Sequence, residues 1–278
     1  CDCNSYFGET DFNGIFEAKI PIYGVIGDSQ GALYAQKCTD IGMAKATYGT
    51  GTSILVNTGD KAISKQDALG LVTAIAWSIS GQVSYALEGI INCSGDTLNW
   101  LKELGLFESS KEIEPLCLSV DDNDGVYLVP ALVGYGIPYW KSDARASLSG
   151  MTRATTKAHL VRAGAESIVY QIYDAIKAME KSSGITISSL RVDGGATVNQ
   201  FLMQFQADIL GMEVIASKVQ ELSAMGAYYM AANTLWKKDT NDEEESHLSY
   251  QPKMSEEKRN TYLDGWQKAV VKCLSEGD

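Results

Sequence analysis

Residues 191–199 read Arg-Val-Asp-Gly-Gly-Ala-Thr-Val-Asn. A short apolar run is broken by an Asp and two glycines and then opens into an amphipathic segment. Val198, Phe201, Leu202, Phe205 and Ile209 recur there with the period of about 3.6 residues expected for one helix face. A strand, a Gly-Gly turn and a helix N-terminus let backbone come close to a ligand and aim N–H groups at it. An ordinary strand-to-helix turn shares this pattern, so one Gly-Gly pair does not define a binding site. The rest of the chain decides.

The chain has 278 residues, 45% of them hydrophobic and 21% charged, which suits one or two globular domains. The net charge of -12 argues against a broad phosphate-backbone footprint and therefore against nucleic acid as a partner. A nucleotide remains compatible, because local backbone donors grip it. The six cysteines, Cys1, Cys3, Cys38, Cys93, Cys117 and Cys273, follow neither a disulfide nor a zinc spacing beyond Cys-x-Cys at the start. Reduced thiols in a cytoplasmic protein are expected. No apolar run reaches membrane-spanning length, and no signal peptide is visible. Because it starts at Cys1 and not at Met, the chain is expected to be a fragment, a processed product or a separately made domain.

The pattern predicts a lead-in over 1–19 and a strand from Pro21 to Gly27 ending at Asp28. Two strands follow over 45–57, joined through Tyr48-Gly49-Thr50-Gly51, then a hairpin over 70–87 turning near Ser80-Gly81. A helix is predicted over 94–104, with Leu98 and Leu101 facing a core. Residues 107–150 are irregular, and Asp121–Gly125 reads as a solvated turn without calcium-loop spacing. The longest helix is predicted over 157–181, with Val161, Ala165, Ile168, Ile172, Ile176 and Met179 as its stripe. After the strand at 189–193 and a helix to Leu210 come a strand at 213–216 and a helix at 222–236 that begins with small residues. A charged loop at 237–249 and a last helix at 255–274 complete the chain. Early strands followed by alternating helices and strands predict an α/β domain with a mixed sheet.

Four Gly-marked turns stand out: Gly27-Asp28-Ser29-Gln30-Gly31, Gly49-Thr50-Gly51, Glu88-Gly89 leading to Ser94-Gly95, and Gly194-Gly195. A carboxylate, a Gly-Thr-Gly turn and a Gly-Gly turn, in that order, are parts phosphoryl transfer requires: a base, phosphate donors and a nucleoside anchor.

The ordered blocks resemble the C-terminal domain of the FGGY family of carbohydrate kinases, most closely its glycerol-phosphorylating members. The blocks include Ile20-Pro21-Ile22 to Gly27-Asp28, Ala44-Lys45 to Gly51, Asn57-Thr58-Gly59, Tyr85 to Gly89, Val129-Pro130-Ala131, Gly136 to Trp140, Arg191 to Ala196 and Phe201 to Gly211. The resemblance implies a ribonuclease H-like fold of the actin/hexokinase superfamily, a mixed sheet with flanking helices. It implies ATP or ADP with Mg²⁺ as cofactors and a polyol or sugar as substrate. Asp28 matches the general base and the metal-side carboxylate. Gly49, Thr50 and Gly51 match the loop facing the nucleotide phosphates. Gly95, Asn99, Gly194, Gly195 and Asn199 match nucleotide-side residues, Asn99 standing where relatives usually carry Gln.

Two substrate-side positions depart from the glycerol-phosphorylating pattern: Ser29 replaces Gln and Ser53 replaces Phe. Another acceptor, such as xylulose or gluconate, is the alternative these changes raise. Gly164 and Ala165 also depart, and their helical position implies a packing consequence only. The family's N-terminal domain has no counterpart here. The chain is therefore expected to comprise a lead-in at 1–19 and a nucleotide-binding domain at 20–278, to need that missing domain as partner, and alone to bind nucleotide weakly and not turn over. A homo-oligomer is compatible with this reading. Competing with it are a non-catalytic actin-like nucleotide-binding module and a dinucleotide oxidoreductase. The last is disfavoured because no G-x-G-x-x-G opens the first helix.

Overall fold

The computed structural model describes residues 1–64, 66–68, 70–219, 221–236 and 247–275. Its strands are β1 (Gly8–Thr10), β2 (Ile20–Ile22), β3 (Ala44–Tyr48), β4 (Thr52–Gly59), β5 (Val72–Ile79), β6 (Gln82–Ile91), β7 (Tyr127–Val129), β8 (Ser147–Ser149), β9 (Ser189–Gly194), β10 (Glu213–Ser217) and β11 (His247–Tyr250). Its helices are α1 (Asp28–Ala35), α2 (Gly95–Glu103), α3 (Ile113–Leu118), α4 (Lys157–Ser183), α5 (Gln200–Leu210), α6 (Leu222–Trp236) and α7 (Glu256–Ser275).

One seven-stranded sheet, in the order β11-β10-β9-β3-β4-β6-β5, organises the molecule. The β3–β9 and β9–β10 pairs are parallel and the others antiparallel, as expected for a mixed sheet. Helices cover both faces. On one, α4 packs on β4 and β6 and carries α2, α3 and α5 around it. Its expected stripe is buried, and burial extends all round the helix from Val161 to Ile172. A helix enclosed this way reads as amphipathic only at its ends, and Gly184, at φ 70°, terminates it. Gly164 lies against Leu101, where a Cβ would overlap the leucine side chain, so this departure has the packing role expected of it.

On the other face, α1 and α6 cross closely. A Cβ on Gly31 would lie 2.8 Å from the Ser223 carbonyl oxygen, and one on Gly226 would overlap the backbone of Gly31. The small residues opening α6 therefore permit this crossing. Leu33, Leu55, Trp77, Ala86 and Met230 fill the space beneath.

Four sequence expectations change. The strand expected at Pro21–Gly27 is only Ile20–Ile22, paired with Gly8–Thr10. Beyond it the chain runs across α6, where Gly24 meets the Ala227 carbonyl, and Asp28 is the first residue of α1 instead of a strand end. A 3-10 turn over Gly195–Val198 delays α5 until Gln200 and leaves Val198 82% exposed, off the buried face assigned to it. Within the loop expected at 237–249, residues 247–249 belong to edge strand β11, and 237–246 lie outside the described residues. Residues 107–150, read as irregular, contain α3 and the paired β7 and β8.

Candidate functional site

The site forms where the ends of β3, β4 and β9 meet the N-termini of α1 and α2. The register brings Tyr48 opposite Gly194 and Thr47 opposite Asp193 across the parallel β3–β9 pair. The two glycine motifs, far apart in sequence, therefore sit side by side. Gly194 adopts φ 98°, and a Cβ on it would overlap the Tyr48 carbonyl, so this position accepts only glycine. Gly195, one residue on, has nothing within 4 Å of a built Cβ. Packing demands the first glycine, whereas the second faces open space.

The Gly49–Gly51 turn is fixed from within and by α2. Gly49 N–H donates to the Gly51 carbonyl at 2.8 Å, while Gly95 N–H donates to the Gly49 carbonyl at 3.1 Å and Asp96 N–H to the Thr50 carbonyl at 3.0 Å. A Cβ on Gly95 would stand 2.6 Å from the Gly49 oxygen. Thr52 Oγ1 and Ser94 Oγ lie 2.6 Å apart beneath the turn. The loop is thus held rigidly, as a phosphate cradle requires.

Two cavities open on either side of this turn. The first, about 490 Å³, is lined by Gly49, Thr50, Gly95, Asn99, Gly195 and Asn199, with Leu98, Phe107, Ile113 and Leu202 as apolar wall and Lys102 and Lys111 at its side. Six of the expected nucleotide-side residues meet here. Asn199 also caps α5, its side-chain oxygen accepting from Leu202 N–H at 2.9 Å. Gly194 lines a smaller neighbouring cavity with Gly195 and Lys218.

The second cavity, about 370 Å³, is lined by Asp28, Ser29, Ser53, Gly51, Lys45, Thr47 and Glu88, and shares Gly49 and Thr50 with the first. Asp28 is exposed at the N-terminus of α1, where helix-end N–H groups favour its negative charge. Its Oδ1 accepts from Ser29 N–H at 2.7 Å. Ser53 Oγ donates to Glu88 Oε1 at 3.2 Å, and Ser29 and Ser53, both expected on the substrate side, line this cavity together. Among the described residues no group of three or more His, Cys, Asp or Glu could hold an ion on its own. A magnesium ion does not need such a cage, since one or two carboxylates with substrate phosphates and waters suffice, and the exposed Asp28 carboxylate fits that donor set.

Sequence reasoning missed what lies beneath. Lys45 Nζ donates to Thr47 Oγ1 at 2.9 Å, Thr47 Oγ1 donates to Asp193 Oδ1 at 2.7 Å, and Gln36 Nε2 donates to the same oxygen at 3.0 Å. Burial pushes the Asp193 carboxyl up, and Thr47, Lys45 and Gln36 oppose that. The readable signal was a lone charge, Lys45, within the otherwise uncharged strand Ala44–Tyr48.

The family model for the C-terminal domain of the FGGY family of carbohydrate kinases matches residues 44–235. The chain is 48% identical over 274 residues to a glycerol kinase of Clostridium botulinum, covering 96% of this chain and 54% of that protein. It is 48% identical over 261 residues to one from Burkholderia pseudomallei, covering 92% and 52%. It thus spans about half the length of the curated relatives it matches. Among solved structures, a Plasmodium falciparum glycerol kinase with ADP superposes with a TM-score of 0.91 at 35% identity, over 98% of this chain and 55% of that one. A ligand-bound xylulose kinase of Lactobacillus acidophilus gives 0.83 at 19% identity over 98% and 56%, a likeness of fold alone. The architecture is that of the actin/hexokinase superfamily.

Proposed function

Because the chain belongs to the FGGY family of carbohydrate kinases, we propose that it is the nucleotide-binding half of an ATP-dependent kinase phosphorylating a hydroxyl of glycerol or a related polyol. The observation that carries this reading is the pair of cavities meeting at Gly49 and Thr50. A nucleoside seated against Gly195 and Asn199 sends its phosphates across the Gly49–Gly51 turn toward Asp28. Phosphoryl transfer asks for that order: an anchored nucleotide, donors along the phosphates, then an in-line acceptor and a base.

In this reading Asp28 accepts the proton of the attacking hydroxyl. A carboxylate suffices, because the hydroxyl becomes acidic only as the phosphoryl group arrives. Mg²⁺, held by Asp28 with the nucleotide phosphates, would neutralise charge on the transferring group. Gly95 and Asn99 would border the nucleotide, and Gly194 would shape the turn that presents Gly195.

Residues 20–278 are the nucleotide-binding half, and 1–19 lead in from a partner domain that would supply the opposite wall. The glycerol kinases matched above are about twice as long as this chain, which supports a missing partner domain. We place the reaction in the cytoplasm. The polar Ser53–Glu88 wall favours a second reading, a longer polyol or a ketose as acceptor. Calorimetric titration of this chain with ADP tests the nucleotide half of the proposal: saturable binding that Gly195→Asp abolishes supports it, and no binding refutes it.

A further inference from the structure

Lys45 lies on β3 with 1% of its surface exposed, and it lines the cavity that holds Asp28. Its ammonium carries three donors, and Thr47 Oγ1 takes one of them. The other two have no acceptor among the described residues. A buried ammonium with spare donors is costly unless something nearby uses its charge.

The surroundings show what that would be. Among the described residues lining this cavity, Lys45 is the one cation, and Asp28 and Glu88 are the carboxylates. Burial pushes the Lys45 ammonium down, and Asp193, Glu88 and Asp28 oppose that. Phosphates arriving over Gly49 and Thr50 would meet a negative cavity if Lys45 were neutral. With only 1% of its surface exposed, Lys45 meets the cavity narrowly, and its charge acts largely through the low-dielectric floor, where fields are screened weakly. Thr47 fixes the ammonium, and Asp193, directly before Gly194, ties the same unit to the nucleotide turn.

We propose that Lys45 is a positioning residue that draws the terminal phosphates of the nucleotide into the Asp28 cavity. The inference rests on the nucleotide-kinase reading above and specifies which part of the nucleotide Lys45 serves. Thr47 and Asp193 hold the cation in place, and adenosine contacts lie in the other cavity, out of its reach.

The test is calorimetric titration of this chain with adenosine, ADP and ATP. Lys45→Met is expected to weaken ATP about ten- to fifty-fold, ADP less, and adenosine by less than about twofold. Lys45→Arg is expected to recover ATP affinity to within about threefold. Lys45→Gln keeps a donor to Thr47 and removes only the charge, so it carries the same expectation if Lys45→Met does not fold. A purely structural lysine would weaken all three ligands alike, and that result overturns the inference, as does unchanged ATP affinity in Lys45→Gln. A wild-type chain that binds neither adenosine nor ATP refutes the underlying nucleotide reading itself, which separates the two failures.

Discussion

The α-carbon of Gly194 stands so close to the Tyr48 carbonyl that no side chain fits between them, while Gly195 beside it faces empty space. The two glycines of one motif therefore answer to different constraints. Gly194→Ala adds a backbone clash and strain at positive φ and is expected to cost about 2–4 kcal/mol of stability. Gly195→Ala is expected to leave the melting temperature unchanged, and Gly195→Asp to remove ADP binding without unfolding the chain. Thermal melts with parallel ADP titrations check all three. Equal destabilisation at both positions would contradict the assignment.

Asp28→Asn keeps the shape of the α1 N-terminus and removes the carboxylate proposed as the base. In the full-length protein this is expected to lower kcat about 10²- to 10⁴-fold while ADP affinity in this chain stays within about twofold. A coupled ADP-release assay checks the first and calorimetry the second. A variant with undiminished kcat would remove Asp28 from the chemistry.

Much of this site was legible in the sequence because glycine leaves a trace wherever backbone must come close. Gly51, Gly95 and Gly194 all stand where a Cβ would press on other backbone. The placement of Asp28 was less legible, since an apolar run as short as Pro21–Gly27 has the same pattern whether it pairs as a strand or lies across a helix. Val198 misled for a related reason: one inserted 3-10 turn shifts the helical phase, and periodicity cannot see the insertion. The Lys45–Thr47–Asp193 chain was invisible because its last link spans 146 residues and exists only through the β3–β9 pairing. The edge strand at His247–Tyr250 was lost in a polar stretch, as edge strands commonly are.

Stability should depend on pH through Asp174. Burial pushes this carboxyl from 3.8 up to about 7, against the Trp266 indole N–H that donates to it at 2.8 Å. The folded state therefore holds a proton that the unfolded state has released across that window, so Asp174 makes stability fall as pH rises from about 4 to about 7. Burial likewise pushes Glu166 up to about 7, so the comparison must be between proteins at each pH. Asp174→Asn retains an acceptor for Trp266 and carries no charge. Its melting temperature relative to wild type should climb across the window and exceed it at pH 7. A constant difference at every pH would contradict this.

Ser53→Phe is expected to narrow the acceptor cavity and break the Ser53–Glu88 hydrogen bond. In the full-length protein kcat/KM for polyols longer than glycerol should fall about ten- to a hundredfold further than for glycerol. Equal losses on all acceptors would mean that this wall does not select substrate.

The central claim is that this chain is half of a polyol kinase, and ADP release by the full-length protein tests it most directly. With ATP and Mg²⁺ present, glycerol, longer polyols and ketoses are supplied one at a time, and ADP is read by a coupled enzyme assay. The account predicts ADP formation well above the no-acceptor background for at least one of them, lost in Asp28→Asn. Rates equal to background with every acceptor would contradict it.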